Sequence, residues 1–210
     1  MPIIKITGGT YRGRSLLSVK TTHPMGSRER LALMNALAPR LKNAAVLDAY
    51  AGTGALGIEA LSRGADRAVF IEKDPAAVAT LKRNLLNLGI SAEVIPGPVE
   101  KYRSPARFDL IFADPPYPLF TPPKLRAIDV THYPKITPIT EHLNNLIRHL
   151  RPGGLFILSH PATFAPESLS TSVPASTAKI PLVKTTAKSG LKLLATKSYA
   201  AARISLFQKS

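Results

Sequence analysis

Short runs of bulky apolar residues recur along the chain at 44–48, 68–72, 92–95, 108–113 and 155–158, each bounded by polar or turn-forming positions. Runs of this length read as buried strands. The intervening segments show helical spacing, which predicts helices over 54–63, 75–88 and 139–150. Pro75 suits a first helical turn and Gly89 a stop, and Arg151-Pro-Gly-Gly154 reads as the stop of the third helix. Strands alternating with helices imply a parallel sheet joined by right-handed crossovers.

The two ends break this rhythm. Ile3 to Leu17 contains two β-prone runs around Gly8-Gly9 and predicts a small hairpin. A helix follows from about 27 to 37, with Ser27 as N-cap, Leu31, Met34 and Leu37 on its apolar stripe, Arg28 and Arg30 off it, and Pro39 marking its end. The carboxyl terminus reads as a second hairpin, 191–197 and 201–207 around a turn at 198–200. Two proline-containing stretches, 118–138 and 161–189, lack periodicity, apart from a possible strand near 180–183. The first reads as a loop insertion in which Lys124, Arg126, His132 and Lys135 favour contact with substrate. The expected organisation is an N-terminal hairpin extension over 1–26 and one main domain over 27–210.

Composition narrows the class. The 210 residues contain no cysteine, which removes disulfides, thiolate nucleophiles and cysteine-ligated zinc, and no metal site is expected. No run approaches the ~20 apolar residues that span a bilayer, so the expectation is a soluble, cytoplasmic, monomeric protein. The formal net charge of +15 is unevenly spread. Residues 1–45 hold eight Lys or Arg against one acid, and residues 179–210 hold seven against none. Thirteen bases nearly balance twelve acids between them, so a polyanion partner would use the ends. Tyr11, Arg12 and Arg14 cluster on the first hairpin and offer one stacking surface and two phosphate or base contacts.

The candidate chemistry sits where strands end. Two prolines cannot extend a ladder, so the chain must leave the sheet after Asp114, which places Asp114-Pro115-Pro116-Tyr117 at a strand's carboxyl end. Ligands bind at that end of open α/β sheets. The tetrad resembles the [D/N/S]-P-P-[Y/F] motif of S-adenosylmethionine-dependent methyltransferases that act on exocyclic amines of nucleobases. Asp48 ends the first strand, and Gly52, Gly54 and Gly57 then spell G-x-G-x-x-G. Three residues between Asp48 and the first glycine separate this turn from the dinucleotide pattern, and a carboxylate there suits an ammonium or sulfonium. Glu72, ending the second strand, suits a ribose diol. Pro98 stands where many methyltransferases carry a polar residue beside adenine, which leaves that base to main-chain groups.

Taken in order, Ile-x-x-Gly-Gly-x-x-Arg-Gly-Arg-x-Leu, then Arg28-x-Arg30, Asp48-Ala-Tyr-Ala-Gly-Thr-Gly-Ala-Leu-Gly, Glu72 and Asp114-Pro-Pro-Tyr resemble the RsmD type of 16S rRNA (guanine-N2)-methyltransferase. The resemblance runs from residue 3 to about 120 and returns weakly in the last hairpin. His23, Ser27 and Leu31 replace an arginine, an aspartate and a glutamate of that pattern, and the 118–138 loop is not typical of it.

The resemblance implies a Rossmann-like class I methyltransferase: a mostly parallel seven-stranded sheet flanked by helices, an antiparallel C-terminal hairpin, and the small N-terminal hairpin. It implies S-adenosyl-L-methionine held by Asp48, Tyr50, Ala51, Gly52, Thr53, Gly54, Glu72, Lys73 and Asp114, with Asp114, Pro115, Pro116 and Tyr117 presenting the target amine. The implied partner is rRNA or an assembling small ribosomal subunit, with Tyr11, Arg12, Arg14, Arg28 and Arg30 as the implied RNA contacts. A DNA adenine-N6 methyltransferase, a nicotinamide-linked oxidoreductase and a non-catalytic rRNA-binding assembly factor remain as alternatives.

Overall fold

The computed structural model describes residues 4–20, 25–120, 139–169, 190–199 and 202–210. His23, the 121–138 part of the insertion with its four basic residues, the strand expected at 180–183 and the tip of the last hairpin lie outside the described residues.

Strands β1 (Ile4–Lys5) and β2 (Ser15–Leu16) pair antiparallel as the expected small hairpin. Helix α1 (Ser27–Leu41) leads to β3 (Ala45–Ala49), α2 (Ala55–Ser62), β4 (Arg67–Glu72), α3 (Pro75–Leu88), β5 (Glu93–Pro96) and β6 (Phe108–Ala113). After them come α4 (Ile139–Ile147), β7 (Leu150–His160), β8 (Leu191–Tyr199) and β9 (Ala202–Lys209). The seven-stranded sheet has the order β5-β4-β3-β6-β7-β9-β8, parallel through β7 and antiparallel in its last two pairings. No helix among the described residues is long and apolar enough to cross a membrane.

Side-chain alternation along each strand divides the core in two. One face of the sheet carries Val46, Phe70, Leu110, Phe112 and Ile157 toward α1, α2, α3 and the small hairpin. The other carries Leu47, Ile71, Ile111, Phe156 and Leu158 toward α4 and the segment 99–102. Burying one such side chain contributes about 1.5 to 3 kcal/mol. These central strands therefore form the rigid frame on which the loops sit.

Four local expectations are corrected. The buried stripe of α1 is Arg30, Leu33, Met34, Leu37 and Leu41, whereas Leu31 is 40% exposed. A polar residue occupies the core side because β1 and α2 supply its partners, which helical periodicity cannot foresee. Pro39 lies inside α1 instead of ending it, and Gly26, not Ser27, occupies the N-cap. Residues 151–154 are not a helix stop, since α4 ends at Ile147 and these residues belong to β7. There the register jumps from Phe108↔Leu150 to Leu110↔Leu155, a bulge. A Cβ at Gly154 would lie 2.9 Å from the Arg151 carbonyl oxygen and 3.0 Å from that of Asp109, so the bulge needs glycine.

The small hairpin is bolted to α2 through Glu59, which is fully buried. Its carboxylate accepts from the Thr7 N–H at 2.9 and 3.1 Å, the Thr7 hydroxyl at 2.6 Å and Arg63 Nε at 3.0 Å, with Arg30 Nε 3.6 Å away. Ser62 adds a bond to the Gly8 carbonyl and accepts from the Tyr11 N–H. Gly9, at φ +77°, comes so close that a Cβ would sit 1.7 Å from the Ser62 carbonyl oxygen.

Candidate active site

Register places the expected residues together. Asp48 pairs with Phe112 on one side and Phe70 on the other, so Asp114 and Glu72 each stand two positions further along a neighbouring strand. Two steps restore the same face of a sheet. Ala113 pairs with Leu158, which brings Ser159 abreast of Asp114. The carboxyl ends of β4, β3, β6 and β7 thus present Glu72, Asp48, Asp114 and Ser159 along one edge.

Asp48 lies one residue inside β3, which runs on to Ala49. It is 2% exposed, and its Oδ2 accepts from the Gly57 N–H at 2.8 Å. Burial raises its pKa to about 7; the Gly57 bond opposes the shift, and the charges of Asp114 and Glu72 add to it. Asp48, pressed from both sides by the carboxylates of Asp114 and Glu72, makes this edge a site that a cation would relieve.

The turn after β3 is fastened to β4. Ala51 N–H donates to the Ile71 carbonyl at 2.9 Å and Gly52 N–H to Glu72 Oε2 at 2.7 Å. The other Glu72 oxygen accepts the N–H groups of Lys73 and Asp74, each at 2.8 Å. Glu72 therefore shapes two loops at once, and it remains half-buried at the rim. Thr53 is buried with its Oγ1 lacking a hydrogen bond among the described residues, and Gly54 takes the left-handed conformation that starts α2. Tyr50 is left-handed too, at φ +67°. Its hydroxyl lies 3.0 Å from His142 Nδ1 on α4, and the other ring nitrogen of His142 is 3.9 Å from Glu100. Burial pushes the Tyr50 hydroxyl well above its ordinary pKa.

At Asp114 the chain leaves β6, and Tyr117–Phe120 form one turn of 3₁₀ helix. Pro115 is buried, Pro116 exposed, and Asp114 and Tyr117 half-buried. Desolvation raises the Asp114 pKa, while a hydrogen bond from Ser159 acts the other way. Tyr117 is raised by burial and by the Asp114 charge, and it too bonds Ser159. Phe120 packs edge-on against Phe164 at 4.9 Å, with His160 6.5 Å from Phe120.

Sequence reasoning passed over Ser159, His142 and Phe164. The available signal for Ser159 was the one that exposed Asp114, a polar residue just after an apolar run. His142 and Phe164 come from elements distant in sequence and carried no such mark.

Among the candidate RNA contacts, Arg12, Arg14 and Arg28 are exposed, and Arg14 Nη2 donates to the Asn87 carbonyl at 3.1 Å. Tyr11 is half-buried and packs against the core. Arg30 is a correction: it is 1% exposed. Its Nη1 donates to Met25 O at 3.0 Å and its Nη2 to Lys5 O at 2.7 Å, beside the buried Glu59. Such a guanidinium ties the hairpin to α1 and α2 and, being buried, has no face left for RNA. No cluster of three or more metal-ligating side chains occurs among the described residues.

Known proteins extend the picture. A model of the family Conserved hypothetical protein 95 matches residues 4–129. Ribosomal RNA small subunit methyltransferase D of Haemophilus influenzae is 37% identical over 123 residues, which cover 54% of this chain and 64% of that protein. The chain thus spans less than two thirds of that curated relative's length. A solved Escherichia coli structure, described provisionally as methyltransferase yhhF, superposes with a TM-score of 0.72 at 28% identity over 99% of this chain and 98% of that one. The Thermus thermophilus 16S rRNA N2 G1207 methyltransferase, solved with AdoMet and guanosine, shares the fold with a TM-score of 0.57 at 24% identity, over 95% of this chain and 46% of that one. With its family model spanning more than half its length, and with this sheet order, the chain belongs to Conserved hypothetical protein 95, the RsmD family, on the class I methyltransferase fold.

Proposed function

We propose that the chain transfers a methyl group from S-adenosyl-L-methionine to the exocyclic N2 amine of a guanine in small-subunit rRNA. The observation that carries this reading is the edge formed by Asp48, Glu72 and Asp114, with Asp48 between the other two carboxylates beside a glycine turn and an Asp-Pro-Pro-Tyr exit. A dinucleotide phosphate would meet negative charge there, whereas a ligand with an ammonium and a sulfonium meets its complement. The names of the Haemophilus and Thermus relatives, which act on small-subunit rRNA, support the same class of substrate.

The residues present fit the cofactor. Asp48 would hold its amino-acid end, Glu72 its ribose, and the main chain of Tyr50, Ala51, Gly52, Thr53 and Gly54 would line it, with Lys73 at the rim. When bound, it supplies an electrophilic methyl. A guanine amine is a poor nucleophile because its lone pair is delocalised into the ring. Asp114 accepts one amine hydrogen and a Pro-Pro carbonyl the other, which localises and aims that lone pair. The Pro116 carbonyl already accepts from Leu119 N–H at 3.0 Å, so the Pro115 carbonyl is assigned this task. Tyr117 stacks on the base after it leaves its neighbours, offsetting part of an unstacking cost of a few kcal/mol. The hairpin over 1–26, with Arg12 and Arg14, contacts RNA beside the domain over 27–210, whose Arg28 joins them.

The test is transfer of labelled methyl to total RNA, small subunits and DNA, followed by nucleoside digestion. Label in N2-methylguanosine of small-subunit rRNA is expected. Label in N6-methyladenosine of DNA, or in no nucleic acid at all, would overturn the proposal.

A further inference from the structure

The edge of the sheet opposite the site gathers cations that the chain order scatters. Arg67 opens β4, Arg107 precedes β6, Arg151 is the second residue of β7, and Lys209 closes β9, which runs the opposite way. Main-chain oxygens pin them: Arg67 on Arg107 O at 3.4 Å, Arg107 on Pro105 O and Ala106 O, and Lys209 on Ile147 O and Leu150 O. Arg40 reaches this edge at Gly153 O, and Arg103 flanks it against Asn145. Lys42 and Arg148, both exposed, adjoin them in the chain. The carboxylates here are Asp66, Glu93 and Asp109, of which Asp109 is taken by Arg151 at 2.8 Å and by the Ala45 N–H.

The crowding has an electrostatic mark. Burial lowers the Lys209 ammonium and the charge of Arg107 lowers it further. His149 is likewise depressed, first by burial, then by Arg107, Arg103 and Lys209, against a hydrogen bond that its ring donates to the Ala106 carbonyl. Within the near-neutral middle of the chain the fold places Asp48, Glu72, Asp74, Glu100 and Asp114 toward the carboxyl edge and Arg67, Arg107, Arg148 and Arg151, beside Asp66, Glu93 and Asp109, toward the amino edge, where Arg40, Lys42 and Lys209 join them.

We propose that the amino-terminal edge of the sheet is a second contact surface for RNA phosphates, separate from the edge that presents the amine. The proposal rests on the rRNA reading above. Most of these cations are arginines, whose planar forks suit phosphate oxygens, and anchoring on carbonyls restrains their motion before any ligand arrives. The length of β4 separates the two edges by about 17 Å. No single nucleotide reaches both, so the surface requires a folded or extended RNA larger than the base being modified.

The experiment uses the full chain carrying R67E together with R107E, both at exposed positions. Binding is measured against small-subunit rRNA across a salt series, against a short guanine-containing strand of about five nucleotides, and against S-adenosylmethionine. Affinity for rRNA should fall at least tenfold and its log–log salt slope by about 1.4 to 1.8, two phosphate contacts' worth, with the other two ligands unaffected. Ultraviolet cross-linking of wild-type protein to rRNA should tag the peptide spanning 101–109, a readout independent of how the variant folds. An unchanged affinity and slope with no cross-link there would overturn the proposal. So would unchanged affinity for free rRNA beside a loss with assembled small subunits, titrated in parallel, which would assign the surface to an acidic protein. Failure of the wild type to bind rRNA at all would instead remove the rRNA reading beneath it.

Discussion

Replacing Asp48 by asparagine separates two consequences of one buried carboxylate. The side chain is 2% exposed and its pKa is raised from 3.8 to about 7, mainly by burial. A carboxyl whose folded pKa exceeds its unfolded value binds more protons folded than unfolded, so its contribution makes stability fall as pH rises from about 4 to about 7 and level off above that. The full shift corresponds to at most about 4 kcal/mol. Asparagine keeps an oxygen for the Gly57 N–H and removes the charge, so the ligand-free variant should melt higher than wild type at about pH 8, by a margin that vanishes near pH 4. Cofactor affinity should move the opposite way, roughly ten- to a hundredfold weaker, because a charged hydrogen-bond partner contributes ~1.5 to 3 kcal/mol. Paired thermal melts over pH and titration calorimetry of both proteins provide the check. A variant no more stable than wild type at high pH, or one that binds the cofactor equally well, refutes the reasoning.

Asp114→Ala should keep fold and cofactor binding yet slow single-turnover methyl transfer by orders of magnitude, whereas Asp114→Asn should fall between them if lone-pair alignment matters more than charge; full activity in the alanine variant removes the catalytic role. Ser159→Ala should lower the turnover rate several-fold with little change in KM and shift the acid limb of the pH–rate profile upward, because the bond that opposes the raised Asp114 pKa is lost; an unmoved profile would leave Ser159 with packing alone. Arg30→Ala should destabilise the protein by about 1 to 3 kcal/mol, since the Lys5 and Met25 carbonyls lose their donor while Glu59 keeps Arg63 and Thr7, and denaturant unfolding would detect this; wild-type stability with weakened RNA binding would restore Arg30 to the RNA surface.

Sequence alone determined what short windows encode. Helix α3 begins at Pro75 and ends before Gly89 as its punctuation demands, and β6 spans the apolar run 108–113 because backbone hydrogen bonds and side-chain alternation are local. Asp48, Glu72 and Asp114 were legible for the same reason, since each is a carboxylate where an apolar strand gives out. What only the tertiary structure decided depends on partners far away in the chain. Arg30 is buried because Lys5 and Glu59 meet it there, and a helical wheel sees neither. Ser159 joins Asp114 because register, not sequence distance, aligns β7 with β6. The bulge at 151–154 reads locally as a helix stop, and only the Asp109 backbone beside it makes it part of a strand. The division of charge between the sheet's two edges has the same origin. Parallel strands send their carboxyl-terminal acids one way and their amino-terminal arginines the other, so charges interleaved in one dimension are sorted toward two edges in three.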